Sequence, residues 1–252
     1  MEIRSLSLPA PDRRPPAVNE DLVLTGPDFV VVLDGATAPP GVDSGCRHSV
    51  AWLVSQLAAQ LAPPLLSQSS APLADLLADA ITAVRATHAG TCDVTNPDSP
   101  SSTVAMLRIQ PGQIEHLVLA DSPIVLRSPA GAITVHSDNR VDLLPEYSLA
   151  AVRRLRNQPG GFWAASTEPK AAYEADTGTT DRADVEVVAV LTDGASRYAE
   201  RYGHSWDDLV DVLTTGGPRE LVARVRAYDE AADPESFRGK RYDDASVVLC
   251  RP

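Results

Sequence analysis

The stretch Phe29-Val30-Val31-Val32-Leu33-Asp34-Gly35-Ala36-Thr37 decides how the rest of this chain is read. Its apolar, β-branched run is too short for an ordinary helix and has no polar face, so it predicts a buried strand. The Asp-Gly that closes it sets one carboxylate at the strand's end. Upstream, Asn19-Glu20-Asp21 precedes a shorter apolar run, Leu22-Val23-Leu24, and Gly26-Pro27-Asp28 between the two runs is turn chemistry. Pairing as a hairpin about that turn places Glu20 and Asp21 across from Asp34 and Leu33. Three carboxylates then crowd one edge, which costs stability unless a cation lies among them.

The chain has 252 residues, 44% of them hydrophobic and 22% charged, which suits one large domain over 1–252. Its net charge is −12, and no basic cluster exceeds Arg13-Arg14 or Arg153-Arg154. A nucleic-acid backbone or an anionic membrane surface is repelled by that field, so neither is an expected partner. A phosphate-bearing ligand is repelled too, unless bound cations reverse the local sign. Cys46, Cys92 and Cys250 are odd in number and lack CxxC spacing, which speaks for a reducing cytoplasm and against a disulfide framework or a zinc ribbon. No run approaches membrane-spanning length, and residues 1–16 lack the apolar segment of a signal peptide. The expectation is a soluble cytoplasmic protein whose oligomeric state is open.

Along the chain, residues 3–8 read as an edge strand. Apolar residues at helical spacing predict a helix over 49–61, ended by Pro63-Pro64, and a second over 73–88. Strands follow at 103–109, 114–120, 124–127 and 132–136. Periodicity weakens over 138–182, apart from a helix at 149–157, and this segment reads as a flap over a site. A strand at 185–192 leads to helices at 206–215 and 219–232, separated by Gly216-Gly217-Pro218. A strand at 245–250 ends the chain. Meandering strands with helices in pairs predict an α+β layered fold and not a βαβ parallel sheet.

Three apolar runs end in an acid: Asp34, Asp121 and Asp193. Asp243-Asp244 opens the last strand, and the start of an antiparallel strand lies beside its neighbour's end, so all four can share one edge. Alone, each of these acids reads as a turn residue. Together they form an oxygen-only ligand set, which selects Mg²⁺ or Mn²⁺ over Zn²⁺. His48, His88, His116, His136 and His204 show no HxH or HExxH spacing and read as packing or surface residues. Cys46 and Cys92, without a His or cationic context in the sequence, read as buried thiols. Ser166-Thr167 near Trp163 reads as a helix cap or a substrate contact in the flap.

The order and wording of these segments resemble the metal-dependent protein phosphatases of the PP2C family. Asn19-Glu20-Asp21 is similar to its N-[EQ]-D element, Val32-Leu33-Asp34-Gly35 to V-x-D-G, and Ser101-Ser102-Thr103 to G-[ST]-T. Leu119-Ala120-Asp121-Ser122 stands where the family has V-G-D-S, Leu191-Thr192-Asp193-Gly194 where it has L-x-[ST]-D-G, and Asp243 to Val247 where it has D-[ND]-x-[ST]-V. The resemblance spans 18–250. It implies a four-layer αββα sandwich of two mainly antiparallel sheets flanked by helix pairs. It also implies hydrolysis of phosphoserine or phosphothreonine on protein substrates, with two Mg²⁺ or Mn²⁺ ions and a looser third as in bacterial members.

Carried over, Asp34 bridges two ions with the Gly35 carbonyl on one of them, Glu20 reaches an ion directly or through water, and Asp21 orients that water. Asp193 and Asp243 hold the other ion, and Asp121 with Asp193 takes the third. Such ions acidify a shared water and offset phosphoryl charge, so no covalent phosphoenzyme is needed. Three departures stand out. The family's phosphate-binding Arg falls at Pro16, leaving Arg13 or Arg14 as substitutes. Ala36-Thr37 follows Asp34-Gly35, so water must protonate the leaving oxygen. Ala120 replaces a Gly, read as a mild change. These departures motivate a rival reading, a catalytically weak or inactive phosphatase-like module that binds a protein partner.

Overall fold

Successive side chains of a strand point to opposite faces, and in Phe29–Ala36 (β3) both faces are apolar. Such a strand must be covered twice. The computed structural model describes residues 1–13, 18–38, 41–146, 148–233 and 240–252, and it supplies both covers. Phe29, Val31 and Leu33 pack under the helices Val50–Leu66 (α1) and Leu73–His88 (α2), whereas Val30 and Val32 pack against a second sheet.

The first sheet joins Asp21–Thr25 (β2), β3, Ser101–Gln110 (β4), Gln113–Leu119 (β5) and Asp176–Asp181 (β8) in that order. The second joins Glu2–Leu8 (β1), Ala245–Arg251 (β10), Val187–Leu191 (β9), Ile124–Arg127 (β6) and Ile133–His136 (β7). All eight neighbouring pairs are antiparallel. Leu107, Val118, Val188, Val190 and Val248 join Val30 and Val32 in the seam between the sheets. Asp193–Glu200 (α4) and Trp206–Ala231 (α5) cover the second sheet through Tyr198, Leu209, Leu213 and Val225. The result is the α+β, four-layer αββα sandwich. No helix among the described residues is long and apolar enough to cross a membrane.

Several local expectations are corrected. Asp21 pairs with Asp34 and Leu22 with Leu33, one position from the expected register. Four residues, Gly26 to Phe29, make the turn, closed by Gly26 N donating to Phe29 O at 3.0 Å. Helix α1 does not stop at Pro63-Pro64 but runs to Leu66. The carbonyls that lose a donor belong to Ala59 and Gln60, both solvent-exposed, and buried Leu65 anchors the final turn. Asp193-Gly194 is not a turn but the start of α4, which was not anticipated. The 138–182 segment contains the helix Leu149–Leu155 (α3), a 3₁₀ turn at Pro169–Glu174 and β8, a polar strand without the apolar alternation that would have announced it. The two helices expected on either side of Gly216-Gly217-Pro218 are present: the span called α5 is two helices meeting at the non-helical backbone of Gly217 (φ +79°).

Candidate metal centre at one end of the sandwich

Both sheets offer strand ends to one cleft. β3 delivers Asp34; β2 sets Asp21 opposite it and Glu20 just outside, where the Glu20 carbonyl accepts from Gly35 N at 3.1 Å. Asp34 follows Val30 and Val32 on the face turned to the second sheet, and Asp21 lies on the side of Val23, which packs against the same seam. β5 exits towards Asp121, β9 passes through Thr192 to Asp193, and Asp243-Asp244 lead into β10 beside the end of β9.

The electrostatics register how closely these acids share space. Burial holds the Asp34 carboxyl well above the usual carboxylate range, and the charges of Asp21, Asp193, Asp243 and Asp121 add to it. Asp21 is pushed up to about 7 by burial, with Asp244 and Asp193 adding and the Ser246 and Thr192 hydroxyls opposing. Asp121 is pushed up to about 7 by burial and then by Asp193. Asp193 is raised by burial and then Asp243, against Arg197, Arg201 and Lys240. Acids so placed cannot all ionise without a cation.

Asp21 Oδ1 is buried without a hydrogen-bond partner, and every donor is a hard oxygen, so the residues present fit a hard divalent ion. Their ligand atoms do not form either of the two tight groups, within 4.8 Å, found among the described residues. Their nearness is registered by the charge each carboxylate exerts on the others.

The supporting contacts are specific. Thr192 is the N-cap of α4, yet its hydroxyl donates to Asp21 Oδ2 at 2.9 Å instead of capping the helix. Asp244, expected at the shared edge but given no role of its own, accepts from Ala10 N at 2.8 Å and Glu20 N at 2.7 Å and pairs with Arg13 Nη2 at 3.0 Å. Arg13 also donates from Nη2 to Glu20 Oε2 at 2.9 Å and from Nη1 to Val18 O at 2.7 Å. Thr37 Oγ1 donates to Glu20 Oε1 at 2.7 Å. Arg14, the other candidate phosphate ligand, and Pro16 lie outside the described residues.

A buried ion pair was also missed. Arg197 Nη1 lies 3.3 Å from Asp229 Oδ1, and Arg197 Nη2 reaches 3.7 Å from Asp243 Oδ2, so the pair steadies an acid of the cleft from behind. A signal existed: Asp229 continues the apolar stripe of Val222 and Val225, and an acid there requires a buried cation.

Two small residues hold close approaches. A Cβ on Gly194 would stand 1.8 Å from Asp244 O, and one on Gly35 would stand 2.2 Å from Val50 Cγ1. Ala120 has φ +64°, so replacing Gly there is not a mild change; the backbone is left-handed where a Cβ is disfavoured. Ser166 is buried and donates to Pro100 O at 2.7 Å, which makes it a loop tie.

The thiols and imidazoles also require correction. Cys46 and Cys92 do not lack a histidine context: with His48 and His88 they converge within 4.8 Å, although 40 residues separate the two pairs in sequence.

A four-layer αββα sandwich with an acid-ringed cleft at one end of its sheets is the architecture of the metal-dependent protein phosphatases. A family model for protein phosphatase 2C matches residues 18–226, and the chain belongs to that family. Among solved structures, the catalytic domain of the serine/threonine phosphatase PstP in complex with two manganese ions is 17% identical, with TM-score 0.60, covering 98% of this chain and 96% of that one. PppA of Pseudomonas aeruginosa, a regulatory component of its T6SS, is 17% identical with TM-score 0.59 and the same coverages. Stp1 of Staphylococcus aureus is 11% identical with TM-score 0.61, covering 100% and 94%. At these identities the likeness is one of fold. A search of curated proteins finds no match.

Proposed function

We propose that this chain is a metal-dependent phosphatase that hydrolyses phosphoserine and phosphothreonine on protein substrates. What supports this reading is that Asp34, Asp121 and Asp193 stand at strand ends of both sheets with carboxyls raised by burial and by one another's charge, with Asp243 among the charges acting on Asp34 and Asp193. Glu20, Asp34, Gly35, Asp193 and Asp243 would hold two Mg²⁺ or Mn²⁺ ions, and Asp121 with Asp193 a third. When bound, such ions acidify water and offset the charge on the phosphoryl oxygens.

The chain's own groups do the positioning. Asp21 has Oδ2 committed to Thr192 and Oδ1 uncommitted, so it can accept a hydrogen bond from one water and thereby aim it. Arg13 donates from Nη1 to Val18 O and from Nη2 to Glu20 and pairs with Asp244, and its remaining N–H groups could bind a phosphoryl oxygen. No imidazole follows Gly35, so the departing Ser or Thr oxygen takes its proton from water.

The 138–182 flap is assigned substrate selection. It borders a cavity of about 390 Å³ lined by Arg85, Arg153, Arg154 and Arg156, a basic spot on an acidic chain suited to acidic residues beside the phosphosite. The net charge of −12 keeps nucleic acid and membranes off the partner list, and the cysteines suit a cytoplasmic location.

A Mn²⁺-dependent assay on a phosphothreonine peptide tests the reading. Phosphate release that vanishes in chelator and in Asp193→Asn supports it, and Arg154→Glu should lower kcat/KM on an acidic phosphopeptide while sparing p-nitrophenyl phosphate. One observation favours the rival binding module: the Arg13 guanidinium is already held between Glu20 and Asp244. Calorimetric Mn²⁺ binding without any turnover would establish it.

A further inference from the structure

We propose that Cys46, His48, His88 and Cys92 form a structural Zn²⁺ site that fastens the loop leading into α1 to the C-terminal end of α2. It is separate from the acid cleft and does not depend on the phosphatase reading.

The four side chains are spaced as the ligands of a tetrahedral metal site. Cys46 Sγ lies 3.6 Å from His48 Nδ1, 3.6 Å from His88 Nδ1 and 3.3 Å from Cys92 Sγ, and Cys92 Sγ lies 3.4 Å from His48 Nδ1. Zn–S bonds of about 2.3 Å and Zn–N bonds of about 2.0 Å give tetrahedral edges of about 3.6 Å for S···N and about 3.8 Å for S···S. The S···N edges match, and the S···S edge needs to open by only about half an ångström.

Simpler readings account for less. The sulfurs are too far apart for a disulfide, whose bond is about 2.05 Å. Thiol hydrogen bonds would serve these contacts in pairs, since each thiol carries one proton. Here four potential ligand atoms turn towards one another, and Cys46 Sγ alone lies within 3.6 Å of the other three. A cation at the common centre satisfies all four.

The framework is built in advance. Cys92 N donates to His88 O at 2.9 Å within one ligand segment, and the bonds from Asp93 N to Gly45 O at 2.8 Å and from Asn96 Nδ2 to Asp43 O at 3.1 Å tie that segment to the other. Trp52 stacks on His48 with centroids 4.0 Å apart and lies 5.2 Å from His88, fixing and shielding both rings. Two thiolates and two imidazoles select Zn²⁺ and leave a site of zero net charge, whereas Mg²⁺ and Mn²⁺ go to the carboxylates. Four protein ligands close the shell, so the ion would be structural. It would steady the loop beyond Thr37, whose hydroxyl holds Glu20.

Elemental analysis of the untagged, reduced full chain tests the site, with Co²⁺ substitution as a second readout. One zinc per chain is expected, retained in Asp34→Ala and lost in Cys46→Ser/Cys92→Ser. Co²⁺ added to the zinc-depleted wild type should give a thiolate charge-transfer band and intense tetrahedral visible bands. Should the double variant not fold, the wild-type cobalt spectrum decides alone. Zinc-free wild-type protein with no thiolate–cobalt band overturns the proposal, as does zinc retained in full by the double variant, or a Cys46–Cys92 disulfide forming in place of metal uptake.

Discussion

Asp21 and Asp34 stand directly opposite each other across the β2–β3 ladder. Like charges in that relationship destabilise a hairpin, so the pair makes physical sense only around a cation. The arrangement therefore links stability to pH and to metal.

In chelator, the protein should lose stability as pH rises from about 4 to about 7. The folded-state carboxyls of Asp21 and Asp121 titrate near 7 against an ordinary 3.8, so in this window the folded chain holds more protons than the unfolded one, and raising pH favours unfolding. Saturating Mn²⁺ should reverse the slope, because ligand binding to the folded state strengthens as the protons leave. Thermal melts from pH 4 to 7, with and without Mn²⁺, check this; a flat profile in chelator would contradict it.

Asp34→Asn should separate chemistry from stability. Turnover should fall on the order of 10²-fold or more, as for loss of a preorganised electrostatic group, while the melting temperature in chelator rises because a crowded carboxylate is gone. A variant less stable than wild type in chelator would count against the crowded-acid account.

Ala120→Gly should stabilise the chain by about 0.5–1 kcal/mol. The relieved left-handed strain, about 1–2 kcal/mol, outweighs the added freedom of the unfolded glycine. The urea midpoint should rise with an unchanged m-value.

Gly194→Ala should destabilise by about 1–3 kcal/mol and weaken Mn²⁺ binding, since the new Cβ meets backbone at Asp244 O and must push apart the start of α4 and the approach to β10. Denaturant melts and metal titration calorimetry read the two effects.

Asp229→Ala should cost about 3–5 kcal/mol, the usual penalty for stranding a buried charge. Arg197 would lose its closer acid, leaving Asp243 at 3.7 Å, and the Tyr202 hydroxyl and Arg226 Nη1 would lose a carboxylate acceptor. Urea unfolding measures the loss, and Asp229→Asn should recover part of it.

How much of this was legible varied with the kind of signal. A layered α+β fold followed from the meandering strands and paired helices, and its αββα form from the family resemblance; the two apolar faces of β3 are covered as that form requires. The acids of the cleft were visible because each ends or begins an apolar run. β8 was not, since a polar edge strand carries no apolar period and is fixed by pairing with β5. The hairpin register slipped by one because turn length sets it, and Gly26-Pro27-Asp28 did not reveal that Phe29 also belongs to the turn. The Cys/His cage was invisible for a different reason: C-x-H and H-x₃-C are individually uninformative, and only the antiparallel return of α2 beside α1 brings them together.

The outer margin of the first sheet has a further implication for the molecule in a crowded cell. β8 reads Asp-Thr-Gly-Thr-Thr-Asp, short, largely exposed and acid at both ends. A second chain trying to extend the sheet there would meet repulsion at each end and few apolar side chains to grip, so this border is guarded against the strand-to-strand stacking that leads to fibrous aggregates.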